Sequence, residues 1–299
     1  MNRGHAVERG RIEAINNRIR EVLTGKSLGG GELVLIDENV SVGGKRLRPI
    51  LLLLTAECFG VEMKQGLDAA VGIELLHNSS LVFDDIIDNE LERRGRPCFH
   101  KLYGTGAAIS IGLFLSAIGV KLLLDYDDAA IDKMVSQLLT ELSEGEVLES
   151  SFADRISVSD YLIVSRLKSG SLFGAAAGIG SALAKNATSE TDRLLNLGRL
   201  FGVAYQLADD IADAGRDRRI VIPEPNLTIT GHKSILSEFD WLPNSADAMS
   251  SPNPKPSSLK KSILEVALER LFQMEREILR GITLSSFQSF TKHIFRDYV

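Results

Sequence analysis

The sequence predicts an all-helical protein, and three observations lead there. No alternation of apolar and polar residues with period two persists anywhere in the chain. One segment after another instead repeats its apolar residues at helical spacing. The two densest acidic runs also place aspartates four apart, which is about one helical turn. Composition shows no break before the last quarter of the 299 residues, so a single domain over 1–299 is expected. Apolar residues at 44% and charged residues at 25% are ordinary for a soluble globular chain. A net charge of −6 without a base-rich stripe argues against nucleic acid as a partner. Met1 to Arg20 is charged throughout and lacks the apolar run of a secretory signal. Cys58 and Cys98 give no disulfide framework and fit a reducing cytoplasm, the expected location.

Taken in order, Val7 to Leu23 reads as an amphipathic helix without visible chemistry, followed by a turn at Gly29-Gly30-Gly31. In Val42-Gly43-Gly44-Lys45-Arg46-Leu47-Arg48-Pro49 two glycines precede three cations and the apolar helix Ile50 to Cys58; this is either an anion seat or a capped helix start. Gln65 to Asp88 is the next helix. At its end Asp84 and Asp88 fall on one side, roughly 40° apart, whereas Asp85 lies about 100° round. Like charges side by side destabilise a helix, so the pair implies a solvated face or a neutralising cation. Carboxylates without His or Cys point to Mg²⁺ rather than Zn²⁺. His77 stands two turns before Asp84 on the same face; the alternative is a satisfied structural histidine. Arg93-Arg94-Gly95 then sets two guanidiniums beside a turn, as a diphosphate requires, and Gly95 and Pro97 shape the loop.

Tyr103 to Tyr126 and Ala129 to Ser150 read as core helices. The first holds the most apolar run, Ala107 to Leu124, which Lys121 interrupts, so a buried helix is expected rather than a membrane span. The second ends in Glu141, Glu144, Glu146 and Glu149. Val158 to Lys185 carries Lys168 and the small-residue row Gly170, Gly174, Gly178, which predicts close packing between soluble helices because Arg166 and Lys168 stand just before it. Leu194 to Asp213 repeats the acidic spacing, with Asp209 and Asp213 on one face and Gln206 about a turn before Asp209. One acidic run alone reads as an ordinary solvent-facing helix end. Two Asp-Asp-x-x-Asp blocks in one helical chain do not. Residues 244–258, with Pro252, Pro254 and Pro256 among Ser and Asn, form a flexible loop; Leu259 to Arg280 is amphipathic and Phe287 to Tyr298 is a short final helix.

The stretch DDIIDNELERRGRPCFH from Asp84 and the stretch YQLADDIAD from Tyr205 resemble the two aspartate-rich motifs of the trans-isoprenyl diphosphate synthases, or polyprenyl synthetases. The resemblance covers roughly Gly43 to Asp217. It implies an isoprenoid synthase-type bundle of antiparallel helices around a central cavity, assembled as a homodimer. It also implies that isopentenyl diphosphate is condensed with an allylic prenyl diphosphate, by 1′-4 elongation, into an all-trans product. Three Mg²⁺ ions are implied at Asp84, Asp88 and Asp209, with Asp213 acting through water. Lys45, Arg48, His77 and Arg94 are implied to bind isopentenyl diphosphate, Arg93 and Lys168 the allylic diphosphate. Asp84, Asp88, Lys168, Gln206 and Asp209 make up the implied catalytic set. The chain departs from the family in having Gly145-Glu146 for Gly-Gln and Lys168-Ser169 for Lys-Thr. Arg218, Arg219 and Lys233 stand near the loop that in the family normally supplies further lysines.

Short-chain members often carry an aromatic at the two positions occupied here by Ser79 and Ser80, about one turn before Asp84. Small side chains there leave room for a product of C20 or longer, and Ser79→Phe is expected to shorten it. The alternative is that both serines merely cap or pack a helix turn. Two other readings compete. A class I terpene cyclase would mix Asn, Ser or Thr with Glu at its second metal site and has no use for Lys45 and Arg48. A non-catalytic subunit of a heteromeric synthase fits Glu146 and the altered loop, but such subunits lose block residues, and all of Asp84, Asp85, Asp88, Asp209, Asp210 and Asp213 are present.

Overall fold

The computed structural model describes residues 3–25, 40, 44–151, 155–184, 188–212, 220–222, 256–278, 285–296 and 298. The Gly29-Gly30-Gly31 turn, Asp213, Arg218, Arg219, Lys233 and residues 244–255 lie outside them. Among the described residues every long element is a helix, and the strands are stubs of two or three residues. Contacts divide the chain into two compact units, Met1–Val135 with Ile179–Thr188, and Ser136–Gly178 with Ser189–Val299.

The first unit contains α1 (Arg3–Thr24), α2 (Leu47–Cys58), α3 (Met63–Ile87), the hairpin β1 (Glu92–Arg93) and β2 (Arg96–Pro97), α4 (Phe99–Tyr103) and α5 (Thr105–Leu124). The other long helices of this unit pack on α3. Ala69, Ala70, Val71, Ile73 and Leu75 are fully buried, so α3 is apolar on more than one face, as a central helix must be. Each large apolar side chain so buried stabilises the fold by about 1.5–3 kcal/mol. Where α3 meets α5, a Cβ added at Gly72 would lie 2.9 Å from the carbonyl oxygen of Gly119, and one at Gly119 2.8 Å from that of Gly72. Any side chain at either position would push the helices apart. Arg18 ties α1 to α3 through Asp68, Nε to Oδ1 at 2.6 Å.

The expectation of a buried helix over Ala107 to Leu124 needs correction. Helix α5 buries one face, Ala108, Gly112, Leu115, Ile118, Gly119 and Leu123, and leaves Ile109, Leu113 and Leu124 exposed by 41%, 59% and 44%. Its residues are apolar all round, so sequence periodicity could not separate the covered face from the open one. Among the described residues it is the one helix long and apolar enough to cross a membrane, and 33% of that stretch is buried.

The second unit takes α6 (Ala129–Ser150) from Ser136 onward, β3 (Arg155–Ser157), α7 (Val158–Ser165), a π-helical turn (Arg166–Gly170), α8 (Ser171–Ala182) as far as Gly178, α9 (Thr188–Ala212) from Ser189, β4 (Ile220–Ile222), α10 (Pro256–Ile278) and α11 (Ser285–Ile294). The strands β3 and β4 pair in parallel. Ser157 caps α7, its Oγ accepting from the Asp160 amide at 3.0 Å. The small-residue row does pack closely: a Cβ at Gly170 would lie 3.1 Å from the carbonyl oxygen of Arg199, and one at Gly202 2.6 Å from that of Ser169. Phe290 and Phe295 dock the C-terminal helix onto Phe201, with ring centroids 5.9 Å and 5.1 Å away. Helix α10 begins at Pro256, three residues before the expected Leu259. A proline fits the first helical position because its missing N–H has no partner there anyway.

Candidate active site

In the first unit the acidic block occupies the last turn of α3 and its cap. The amide of Asp88 donates to the carbonyl oxygen of Asp84 at 2.8 Å, which stacks the two residues one turn apart, Asp84 half-buried and Asp88 exposed. Asp85 points elsewhere. It is buried, accepts from Arg93 Nε at 2.6 Å, and lies near the thiol of Cys98. Burial and then the Asp85 charge push that thiol up to about 12, so it stays protonated. Arg93, expected at the allylic diphosphate, is thus held by the carboxylate next to the block.

The hairpin turn after α3 places Arg94 and Gly95 at φ of 54° and 74°, the left-handed pair of a two-residue I′ turn. A non-glycine residue is uncommon at such an angle and is often found at functional sites. The Arg94 guanidinium covers Gly44: a Cβ there would lie 3.0 Å from Nη2. His77 lies in the same group, with Arg48 Nη1 3.2 Å from its Nε2. Arginine only donates, so Nε2 accepts and the ring proton sits on Nδ1. Burial, then the positive field of Arg48, Arg94, Arg93 and Arg46, lowers His77 well below its ordinary value, and the ring is neutral. Nδ1 is buried without a hydrogen-bond partner among the described residues.

Lys45 is exposed beside this group, whereas Arg46 is spent internally. Arg46 donates to Glu74 Oε1 at 2.5 Å, to the Val40 carbonyl at 2.6 Å and to Asn16 Oδ1 at 2.9 Å, with 0% of its side chain exposed. The two serines differ. Ser79 is buried and its Oγ donates to the Gly112 carbonyl of α5 at 2.8 Å; Ser80 is half-buried and donates to His77 O at 2.9 Å.

In the second unit Lys168 stands on the π-helical turn, a distortion frequently found at functional sites. Its Nζ lies 2.9 Å from Glu146 Oε1 and 2.5 Å from Glu149 Oε2, both on α6. Gly145 permits that approach, since a Cβ there would lie 2.8 Å from Lys168 Cγ. Ser169 Oγ donates to Gln206 Oε1 at 2.8 Å, and Gln206 Nε2 donates to Asp210 Oδ1 at 2.8 Å. Asp210 Oδ2 also accepts from Tyr161 OH at 2.6 Å and Lys260 Nζ at 3.1 Å. Asp209, in the last turn of α9, is exposed.

The profile of the polyprenyl synthetases matches residues 34–221, well over half of the chain. The chain belongs to the polyprenyl synthetase family. It is 35% identical to a geranylgeranyl pyrophosphate synthase of Geoglobus acetivorans over 76% of this chain and 73% of that protein. It is 36% identical to a geranylgeranyl diphosphate synthase of Methanosarcina mazei over 58% of this chain, a match that spans only 56% of the relative's length. The solved Geoglobus acetivorans geranylgeranyl pyrophosphate synthetase superposes with a TM-score of 0.73 at 26% identity, covering 98% of this chain and 99% of that one. The expected all-α isoprenoid synthase fold is therefore present.

For a polyprenyl synthetase the donor chemistry fits magnesium. Among the described residues no three His, Cys, Asp or Glu side chains cluster tightly enough to hold a metal by themselves. Mg²⁺ does not require such a cage, because it takes one or two carboxylates and completes its shell with water and substrate phosphates. Asp84, Asp88 and Asp209 offer only hard oxygens of that kind. Sequence reasoning missed Tyr161 and Lys260. Only Lys260 carried a signal, a lysine in register with the apolar row Ile263, Leu264, Ala267, Leu268 and Leu271.

Proposed function

We propose that this polyprenyl synthetase is a magnesium-dependent trans-prenyltransferase. It condenses isopentenyl diphosphate with an allylic diphosphate into an all-trans polyprenyl diphosphate of C20 or longer. One observation carries this reading: α3 ends in a carboxylate pair, and two turns earlier on the same helix neutral His77 meets Arg48 within the field of Arg94, so one helix carries groups that seek a cation and a group set among cations that seek a polyanion. Asp84 and Asp88, and likewise Asp209 with Asp213 through water, are the residues that would hold magnesium, which when bound would supply positive charge to a diphosphate departing from the allylic carbon. Lys168 and Arg93 bind the allylic diphosphate. Lys45, Arg48, His77 and Arg94 orient isopentenyl diphosphate so that its double bond faces that carbon. As the allylic C–O bond breaks and the new C–C bond forms, the proton lost from the adduct passes to the released diphosphate, and no side chain is assigned as the base.

The names of the two geranylgeranyl diphosphate synthases cited above support a C20 product class. Ser80, half-buried one turn before Asp84, limits the tail, whereas Ser79 is occupied against α5. The exposed row Ile109, Leu113 and Leu124 belongs to the contact with a second copy of this chain, since the other face of α5 already packs on α3 at backbone distance. The free thiols Cys58 and Cys98 support a cytoplasmic location.

The test is incubation of the purified protein with Mg²⁺, labelled isopentenyl diphosphate and C5, C10, C15 or C20 primers. Label is expected in prenyl diphosphates of C20 or longer, and Ser80→Phe is expected to shorten them. Cyclic hydrocarbon made from a primer alone would identify a cyclase instead. No incorporation with any primer would leave a non-catalytic subunit.

A further inference from the structure

Lysine is rarely buried, because taking an ammonium ion out of water is costly unless a partner compensates it. Lys260 of α10 has only 3% of its side chain exposed. Its compensation includes Asp210 Oδ2 at 3.1 Å and the face of the Tyr161 ring, whose centroid lies 4.8 Å from Nζ. Tyr161 OH donates to the same Oδ2, and Gln206 Nε2 fills Oδ1. Asp210 therefore takes three donors from α7, α9 and α10. A second tie reaches the same turn from the C-terminal end, where Tyr298 OH donates to the Ala208 carbonyl at 2.9 Å. Both ties come from outside the matched residues 34–221.

We infer that Lys260 is a positioning residue for the second acidic block: by neutralising Asp210 it fixes the last turn of α9 and leaves Asp209 to present its carboxylate to a magnesium diphosphate. This rests on the function proposed above. Without the ammonium, Asp210 keeps only the neutral donors Tyr161 and Gln206 and becomes an uncompensated second negative charge beside Asp209, drawn toward the cation and out of register. The effect also extends along the hydrogen bonds from Gln206 to Ser169, the neighbour of Lys168.

The experiment is calorimetric titration of inorganic diphosphate into the full chain at fixed Mg²⁺, with thermal melting alongside, for wild type, Lys260→Met, Asp210→Asn and the double variant. Lys260→Met is expected to weaken Mg²⁺-dependent diphosphate binding about tenfold, and adding Asp210→Asn should restore most of it. If Lys260→Met does not fold, the charge-neutral double variant carries the test against Asp210→Asn, and the two should bind alike. Wild-type affinity in a folded Lys260→Met protein with a lowered melting point would show a merely structural lysine and overturn the inference. Unequal binding by the double variant and Asp210→Asn would do the same. Failure of the wild-type protein to bind diphosphate at all would overturn the functional reading itself.

Discussion

Lys168 is the residue on which binding and structure compete most openly. A diphosphate that reaches its ammonium must displace or share two carboxylates, Glu146 and Glu149, that lie 2.9 Å and 2.5 Å away. Partly exposed pairs of this kind are worth up to about 1 kcal/mol, enough to change an affinity about fivefold. Glu146→Gln is therefore expected to lower KM for the allylic substrate about that much while KM for isopentenyl diphosphate stays unchanged. Equal changes in both would contradict the assignment of Lys168 to the allylic side. Glu146 was visible in the sequence as a departure from the family pattern. Its partner was not, since the pair spans 22 residues and no local periodicity encodes it. The same holds for Arg46, which looks like one more cation of an anion seat but is consumed by Glu74 on α3.

The elements themselves were largely legible, because amphipathic spacing and turn residues are local. What escaped were features that depend on neighbours: the open face of α5, the π-helical turn at Arg166–Gly170 and the early start of α10 at Pro256. Asp84 and Asp85 fall in the final turn of α3, and Asp209 and Asp210 in that of α9, where the negative end of the helix dipole disfavours carboxylates. That placement opposes helix stability and fits a cation site. Between α10 and α11, Glu275 is buried and accepts from the Thr291 hydroxyl, and burial raises its carboxyl from 4.5 to about 7. A raised carboxyl means the folded state holds a proton that the unfolded chain has lost, so stability is full below pH 4.5 and declines as pH rises to about 7. Glu275→Gln is expected to be more stable than wild type at pH 8, by on the order of 3 kcal/mol, and to converge with it near pH 4.5. Thermal or denaturant unfolding across that range checks this. A constant difference at every pH would contradict it.

At the scale of the whole molecule, the exposed apolar row on α5 predicts a dimer. Leu113→Asp should convert it to monomer in sedimentation equilibrium, and an unchanged mass would remove this face from the interface. The sequence could not reveal that row, because every face of α5 is apolar. It did reveal the aspartate spacing, which is set within single helices. The most direct test is the turnover of labelled isopentenyl diphosphate with a C15 primer at saturating Mg²⁺ by Asp84→Ala and Asp209→Ala, each checked for an unchanged melting point. Both substitutions are predicted to lower kcat at least about a hundredfold. Turnover at the wild-type rate in either one would contradict the role given to the two acidic blocks.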